Sequence, residues 1–437
     1  MKYKYVIFSL ISFIILTFII IFITTIKDSK NIISINSQSS KQIEINFISS
    51  WAGTDTKAVA LEQILNKFQK DNPNIKINNQ SISGNEFLFK LKTDFAEGNE
   101  PDVFGLWPGS DMTSLINTGK VANLTEMLKS DPNWYNQFQK DNWKYDTISD
   151  RIYGLPCEII YEGLFINDDL FKQYNVAPPK TFSELENAIS IFKKNNITPI
   201  SFNATAEGTF LYQNIVMKLG GKDETENPYD YNGFNDAYLK GLQLMKTLYK
   251  DGAFPSNYDT LSNDSRNNLF RNKKAAMIAQ GSWFVGDGSV SPSDGNVKII
   301  PFPDFPDENS KQGSIIYGIG NGDFHMSTAA YENLDKKNAC IKLLKTLTSK
   351  ETWDKFNQKT GLISNINTSY YTNEENVLLQ NGLNMVKASP ELVGPPDSFV
   401  DRSAWENILV TDMSNYFTGK TTAEDILRKM YKVKLEK

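Results

Sequence analysis

The stretch Ile43–Ile77, "IEINFISSWAGTDTKAVALEQILNKFQKDNPNIKI", changes its hydrophobic period twice. Residues 43–49 alternate apolar and polar side chains, as a strand with one buried face does. After a Trp-Ala-Gly-Thr-Asp turn, Ala58, Leu61, Ile64, Leu65 and Phe68 recur at helical spacing until Pro73, and a second strand pattern, "IKIN", follows. Next, "EFLFKLKTDFAEG" reads as a helix stopped by Gly98, and "PDVFGLW" as a short buried strand. Strand, helix, strand, helix, strand predicts an α/β layer with mostly parallel strands.

The alternation restarts beyond Tyr153-Gly154-Leu155-Pro156. Helices are predicted at "TFSELENAISIFKKNN", with Thr181 or Ser183 as its cap, at "FNDAYLKGLQLMKTLYKDG", ended by Gly252, and at "DSRNNLFRNK". Later helical patterns run over Asn338–Ser349, Glu351–Lys359 and Ser403–Tyr416. The three prolines of "VKIIPFPDFP" interrupt any central strand and predict a segment crossing between lobes.

A chain of 437 residues with 40% hydrophobic side chains can bury a large core, spread over two or three domains. Its net charge of −5 argues against a nucleic-acid partner, which would need a basic footprint. One histidine, His325, and two distant cysteines exclude His-rich metal sites and paired-cysteine frameworks. Cys157 and Cys340 read as buried free thiols, and His325 as structural. "YGIGNGD" lacks the helix a dinucleotide loop needs, and "TGKTT" at 418–422 reads as a turn. No catalytic step, cofactor or metal is expected. Paired-carboxylate chemistry needs no histidine, so Glu158, Glu162, Asp168 and Asp169 leave a glycoside hydrolase as an alternative.

Val6–Ile26 forms 21 uncharged, mostly apolar positions, with Lys2 and Lys4 before them and Lys27 after. At ~1.5 Å per residue such a helix is ~32 Å long, enough to cross a bilayer. It reads as an uncleaved anchor, with a long cleaved signal as the alternative. No Cys follows it to carry a lipid. Asp28–Gln42, rich in Ser, Asn, Lys and Gln, reads as a tether to a domain outside the cytoplasm.

Several segments in this order resemble the extracellular solute-binding proteins of ATP-binding-cassette importers, in the carbohydrate-binding family that includes maltose-binding proteins. They are "INFISSWAGTD", "ILNKFQKDNPNIKI", "FAEGNEPDVFGLW", "INTGKVANLTEML", "DRIYGLPCEIIYEGLFINDDLFKQYNVAPPKTFSEL", "NNITPISF", "LFRNKKAAMIAQGSW" and "FTGKTTAEDIL". The resemblance implies a two-lobed α/β fold with crossing segments and a sugar held in the cleft. By that analogy residues 43–155 plus 297–347 form the first lobe and 156–296 plus 348–437 the second, after a membrane segment and tether over 1–42. The implied partners are a carbohydrate ligand and membrane permease subunits, with the binding protein a monomer. A tethered sugar-sensing ectodomain that reports to a receptor kinase is the second reading.

Sugars present faces of C–H groups edged by hydroxyls, so a binder needs flat aromatic platforms and planar polar partners. Ligands of open α/β sheets sit beyond the carboxyl ends of strands. Trp51 and Trp107 each follow a predicted strand. Asp55 either accepts a sugar hydroxyl or caps the following helix. Near the lobe crossing, Glu158 and Tyr161 are cleft candidates, against a salt bridge and core packing. The resemblance adds Arg402 and Trp405 on a late helix, and Gly281, Ser282 and Trp283 in "AAMIAQGSW". Gly281 allows close backbone approach, Ser282 offers a hydroxyl, and Trp283 is read as the stacking platform. Trp134, Trp143 and Trp353 are left as core or interface residues.

Overall fold

In the computed structural model, which describes residues 42–436 except 54, 287, 307, 308, 310 and 367–375, the chain builds two large sheets. The expected membrane segment and nearly all of the tether lie outside the described residues. No described helix is long and apolar enough to cross a membrane. The strands of these two sheets, in chain order, are β1 (Ile43–Ile48), β2 (Ile75–Asn79), β3 (Val103–Gly105), β4 (Leu155–Pro156), β5 (Glu158–Asn167), β6 (Thr198–Ile200), β7 (Ala275–Gly281), β8 (Val297–Ile300), β9 (Ile315–Ile319), β10 (Asp323–Met326), β11 (Ile363–Ser364) and β12 (Leu392–Val393).

The first sheet has the order β2-β1-β3-β10-β4. β1 pairs in parallel with β2 and β3, as the opening alternation predicts. Helix α1 (Thr56–Asp71) buries Leu61, Leu65 and Phe68 against Ile45 and Phe47. Helix α2 (Asn85–Glu97) stops where Gly98 takes a left-handed conformation, φ 81°, that costs a glycine little. Both flanking peptides of each crossover thus match their sequence signals.

The second sheet has the order β12-β9-β5-β7-β6, with β8 and β11 also paired to β5. All ten residues of β5 are buried, its polar Glu158, Glu162 and Asn167 included. Its neighbours β7, β8, β9 and β11 all run antiparallel to it, and in the first sheet β10 is antiparallel to β3 and β4, so the parallel pairing expected from residues 43–107 is confined to β1, β2 and β3 there. Helix α3 (Phe182–Lys194) starts in a capping box, with Thr181 Oγ accepting from Glu184 N and Glu184 reaching back. Helix α4 (Phe210–Glu226) and helix α5 (Asp236–Asp251) pack their apolar faces on Leu164, Ile166 and Met277.

Sheet membership departs from the expected division of the chain. β8 and β9 pair with β5, so residues 297–319 belong to the second sheet, and the chain returns to the first only at β10. The proline-rich run is not a crossing either: Phe302 is buried in the second-lobe core and Phe305 stacks on Phe182 at 4.6 Å. Helix α6 (Lys350–Thr360), expected in the second lobe, instead sets Trp353 and Phe356 into the first-lobe core beside Trp51. The chain passes between the sheets at Cys157, at Gly320–Gly322 and at Gly361–Leu362.

Candidate functional site

The three crossings lie side by side and bond to one another. Cys157 N and Glu158 N both donate to Gly322 O, at 2.9 and 3.0 Å, Gly320 N donates to Glu158 O, and Asn365 N donates to Cys157 O at 2.8 Å. Glu158 Oε2 accepts from Gly322 N at 2.7 Å. Glycine is required here, because a Cβ on Gly322 would lie 2.6 Å from that of Glu158. Burial raises the Glu158 carboxyl above the usual range, with Lys57 acting against it.

Beyond the crossing, alternate residues of β5 face opposite ways. Tyr161 turns to the core, where a Cβ on Gly382 would run into its hydroxyl. Glu162 pairs with Gly281 of β7. Ser282 N then donates to Tyr161 O at 2.8 Å, and the strand ends in a short helix, Trp283–Gly286. The Trp283 ring is half-buried, 5.0 Å from Phe210. A Cβ on Gly281 would stand 2.1 Å from that ring, so the glycine makes room for the indole.

Polar side chains are buried from Glu162, the strand partner of Gly281, onward. Asn214 Nδ2 donates to Glu162 at 3.1 Å, while Gln213 Oε1 and Asn214 Oδ1 are buried with no protein donor. Burial pushes Glu162 well above the normal carboxyl range, and pushes Asp397 up despite Arg402. Arg402 binds Asp397 at 3.2 Å and Glu406 at 2.9 Å. Its guanidinium also lies 5.9 Å from the ring centre of Trp107, which comes from the first lobe. Two other contacts span the lobes: Thr56 Oγ donates to Gly286 O, and Gly109 packs on Ser398. A cavity of about 720 Å³ also lies between the lobes, lined from the first by Tyr145 and Tyr153 and from the second by Lys222, Tyr229 and Phe399.

The structure brings Trp107 and Arg402 together, and keeps Gly281 with Trp283. Other expected contacts need correction. Trp51 is 2% exposed, packed on Phe356 at 5.0 Å and on Trp353 and Phe324, because helix α6 covers it. Trp405 is fully buried and spends its indole N–H on Thr209 Oγ at 3.0 Å. Tyr161 is core, Glu158 belongs to the crossing, and Ser282 Oγ accepts from Tyr161 N at 3.4 Å. Asp55 caps α1, accepting from Lys57 N at 2.7 Å. Gln213, Asn214 and Asp397 escaped the sequence reading. The adjacent Gln-Asn in the otherwise apolar "FLYQNIVM" was the available signal.

Asp168 pairs with Lys172 and Lys298, and Asp169 with Lys273. Glu158 and Glu162 stand four strand residues apart, ~13 Å between Cα atoms, with Glu158 Oε2 held by Gly322 N and Glu162 by Asn214 Nδ2. One group of metal-ligand types is present among the described residues: Asp146, Asp323 and His325. Both ring nitrogens of His325 already face backbone carbonyls, so the imidazole has no lone pair directed at an ion. Cys157 and Cys340 are free and buried, and burial raises both thiols, Cys340 to about 12.

The model of the bacterial extracellular solute-binding protein family matches residues 52–352. Among curated proteins, the chain is 24% identical over 280 residues to a multiple sugar-binding protein of Streptococcus mutans, covering 62% of this chain and 64% of that one. It is 27% identical over 243 residues to a galactooligosaccharide-binding protein of Bacillus subtilis, covering 52% and 53%. The chain thus spans between about half and two thirds of these relatives' length. Among solved structures, a protein described with xylan utilisation by a thermophilic bacterium superposes with a TM-score of 0.79 at 24% identity, covering 89% of this chain and 99% of that one. A maltose/maltodextrin-binding domain from Bdellovibrio bacteriovorus, bound to maltotriose, gives 0.71 at 19% identity, covering 90% and 100%. These likenesses show a two-lobed α/β binding-protein fold.

Proposed function

We propose, on the premise that this chain belongs to the bacterial extracellular solute-binding protein family, that it captures an oligosaccharide or glycoside between its lobes for an ATP-binding-cassette importer. The carrying observation is the half-buried Trp283 ring at the end of β7, packed on Phe210, in a chain whose lobes meet at Trp107 and Arg402. A pyranose face can stack on such an indole while its hydroxyls pair with polar side chains of the cleft. The names of the relatives support a sugar ligand.

Trp107 and Arg402 meet across the lobes, so a ligand seated among these residues touches both lobes only when they are closed. Binding then shifts the population toward closure, and the closed form is what permease subunits would engage. We place the binding domain on the extracytoplasmic side, held by the apolar segment Val6–Ile26. A thermal-shift screen against neutral oligosaccharides tests the reading. Ligand at a hundred times its dissociation constant adds ~2.7 kcal/mol of stability, and no shift with any sugar of the panel would remove the proposal.

A further inference from the structure

At the first-lobe root of the crossing, three ionisable side chains are sealed together. Asp146 is 4% exposed, and Asp323 and His325 are fully buried. One ligand-type atom from each lies within 4.8 Å of the others. Gly154 closes the group: a Cβ there would stand 2.5 Å from Asp146 Oδ1 and His325 Cε1, and 2.7 Å from Asp323 Oδ1. The His325 ring stacks on Phe104 at 5.1 Å.

The ring's partners determine its protons. Nδ1 faces Tyr153 O at 2.9 Å and Nε2 faces Leu106 O at 2.9 Å. Carbonyl oxygens only accept. A neutral imidazole donates from one nitrogen and would press the other lone pair against a carbonyl, whereas imidazolium donates from both. Asp323 Oδ2 lies 3.3 Å from Nε2, where it can balance the charge. Asp323 Oδ1 and Oδ2 and Asp146 Oδ2 make no hydrogen bond of ordinary geometry, although the Leu155 N–H faces Asp323 and favours its ionised form, and the two carboxyls face each other. Burial pushes both upward, Asp323 to about 8, so the pair retains a proton at neutral pH. The other ionisable groups beside the cluster are Cys157 and, beyond it, Glu158.

We infer that His325 is a buried imidazolium, balanced by the proton-sharing Asp146–Asp323 pair, and that it is a positioning residue tying the Trp107-bearing strand end to the lobe crossing. Its two N–H groups hold Leu106, which precedes Trp107, and Tyr153, which precedes the crossing at Cys157. Asp323 directly follows the Gly320–Gly322 crossing. The first-lobe end of the crossing is therefore clamped, and lobe motion pivots on residues 157, 320–322 and 361–362. Only the link to Trp107 rests on the proposed sugar site.

Because His325 is the sole histidine of the chain, ¹⁵N-histidine labelling of the full chain gives the spectrum of one ring. At pH 7 a long-range ¹H–¹⁵N correlation should show both ring nitrogens protonated. A single protonated nitrogen overturns the inference. Asp146→Asn keeps a hydrogen-bond donor and should leave the ring charged. Asp323→Asn removes the counter-charge and should yield a singly protonated ring and at least threefold weaker binding of whichever sugar shifts the wild type. A ring still doubly protonated in Asp323→Asn, or unchanged affinity, refutes the counter-charge or the positioning role respectively. If Asp323→Asn does not fold, the wild-type spectrum decides the charge alone. Failure of every sugar to bind would defeat the sugar reading and leave that spectrum equally decisive.

Discussion

Two tryptophans end two strands, and they have opposite fates. Trp51 follows β1 in the first lobe and Trp283 follows β7 in the second, each close to a glycine and a small polar residue. Trp51 is walled in by Phe324, Trp353 and Phe356, and its ring lies against Gly322 of the crossing. Trp283 packs on the ring of Phe210 and stays half-buried. The difference comes from what lies overhead. Helix α6, some 300 residues downstream of Trp51, roofs one indole, and among the described residues only Phe210 contributes a ring against the other. Strand-end position alone does not distinguish a platform from a core residue.

The comparison can be broken most forcefully at Trp51. Trp51→Ala should destabilise the protein by ~3–5 kcal/mol in urea or thermal unfolding, by the cavity it leaves, without a specific loss of sugar affinity in the folded fraction. Trp283→Ala should do the reverse: sugar affinity falls at least tenfold, ~1.4 kcal/mol, while the melting temperature of the free protein barely changes. If the melting temperature collapses with affinity intact, Trp283 belongs with Trp51.

A third test addresses the crossing between them. The Asp146–Asp323 pair holds protons more tightly folded than unfolded, since burial raises both groups. Its stabilising contribution is complete below about pH 4, the unfolded carboxyl range, and is lost as pH rises toward about 8, by at most ~1.4 kcal/mol per pH unit for each extra proton held. Unfolding titrations should show this decline, and Asp323→Asn should flatten it. The smallest expected effect is a control remote from both tryptophans: Thr181→Ala removes the α3 capping box and should cost ~1 kcal/mol of stability with no change in affinity.

Much of the fold was legible. The 2.0 and 3.6 periods of residues 43–105 predicted three strands and two helices of the first lobe, and Gly98, Thr181 and Gly252 mark real helix ends. β5 was not predicted, since it is buried on both faces and so lacks alternation, while Glu158, Glu162 and Asn167 interrupt any apolar run. The proline-rich segment was misplaced for a related reason. Proline excludes a central strand, yet it does not say which lobe the chain runs along.

Of the expected site residues, those read by local chemistry fared differently from those read by position. Asp55 was legible as a cap because capping involves neighbours within three residues. The sequence left Glu158 and Tyr161 open between cleft and interior and read Trp405 as a cleft residue, because Gly322, Gly382 and Thr209, which enclose them, are remote in sequence. Local periodicity, turn residues and caps thus determined the elements, since those depend on backbone preferences over a few residues. Which aromatic rings remain open between the lobes, and which carboxyls are sealed at their crossing, was decided only by tertiary structure. Exposure depends on the whole set of segments that converge on a side chain, and no single stretch of sequence carries that set.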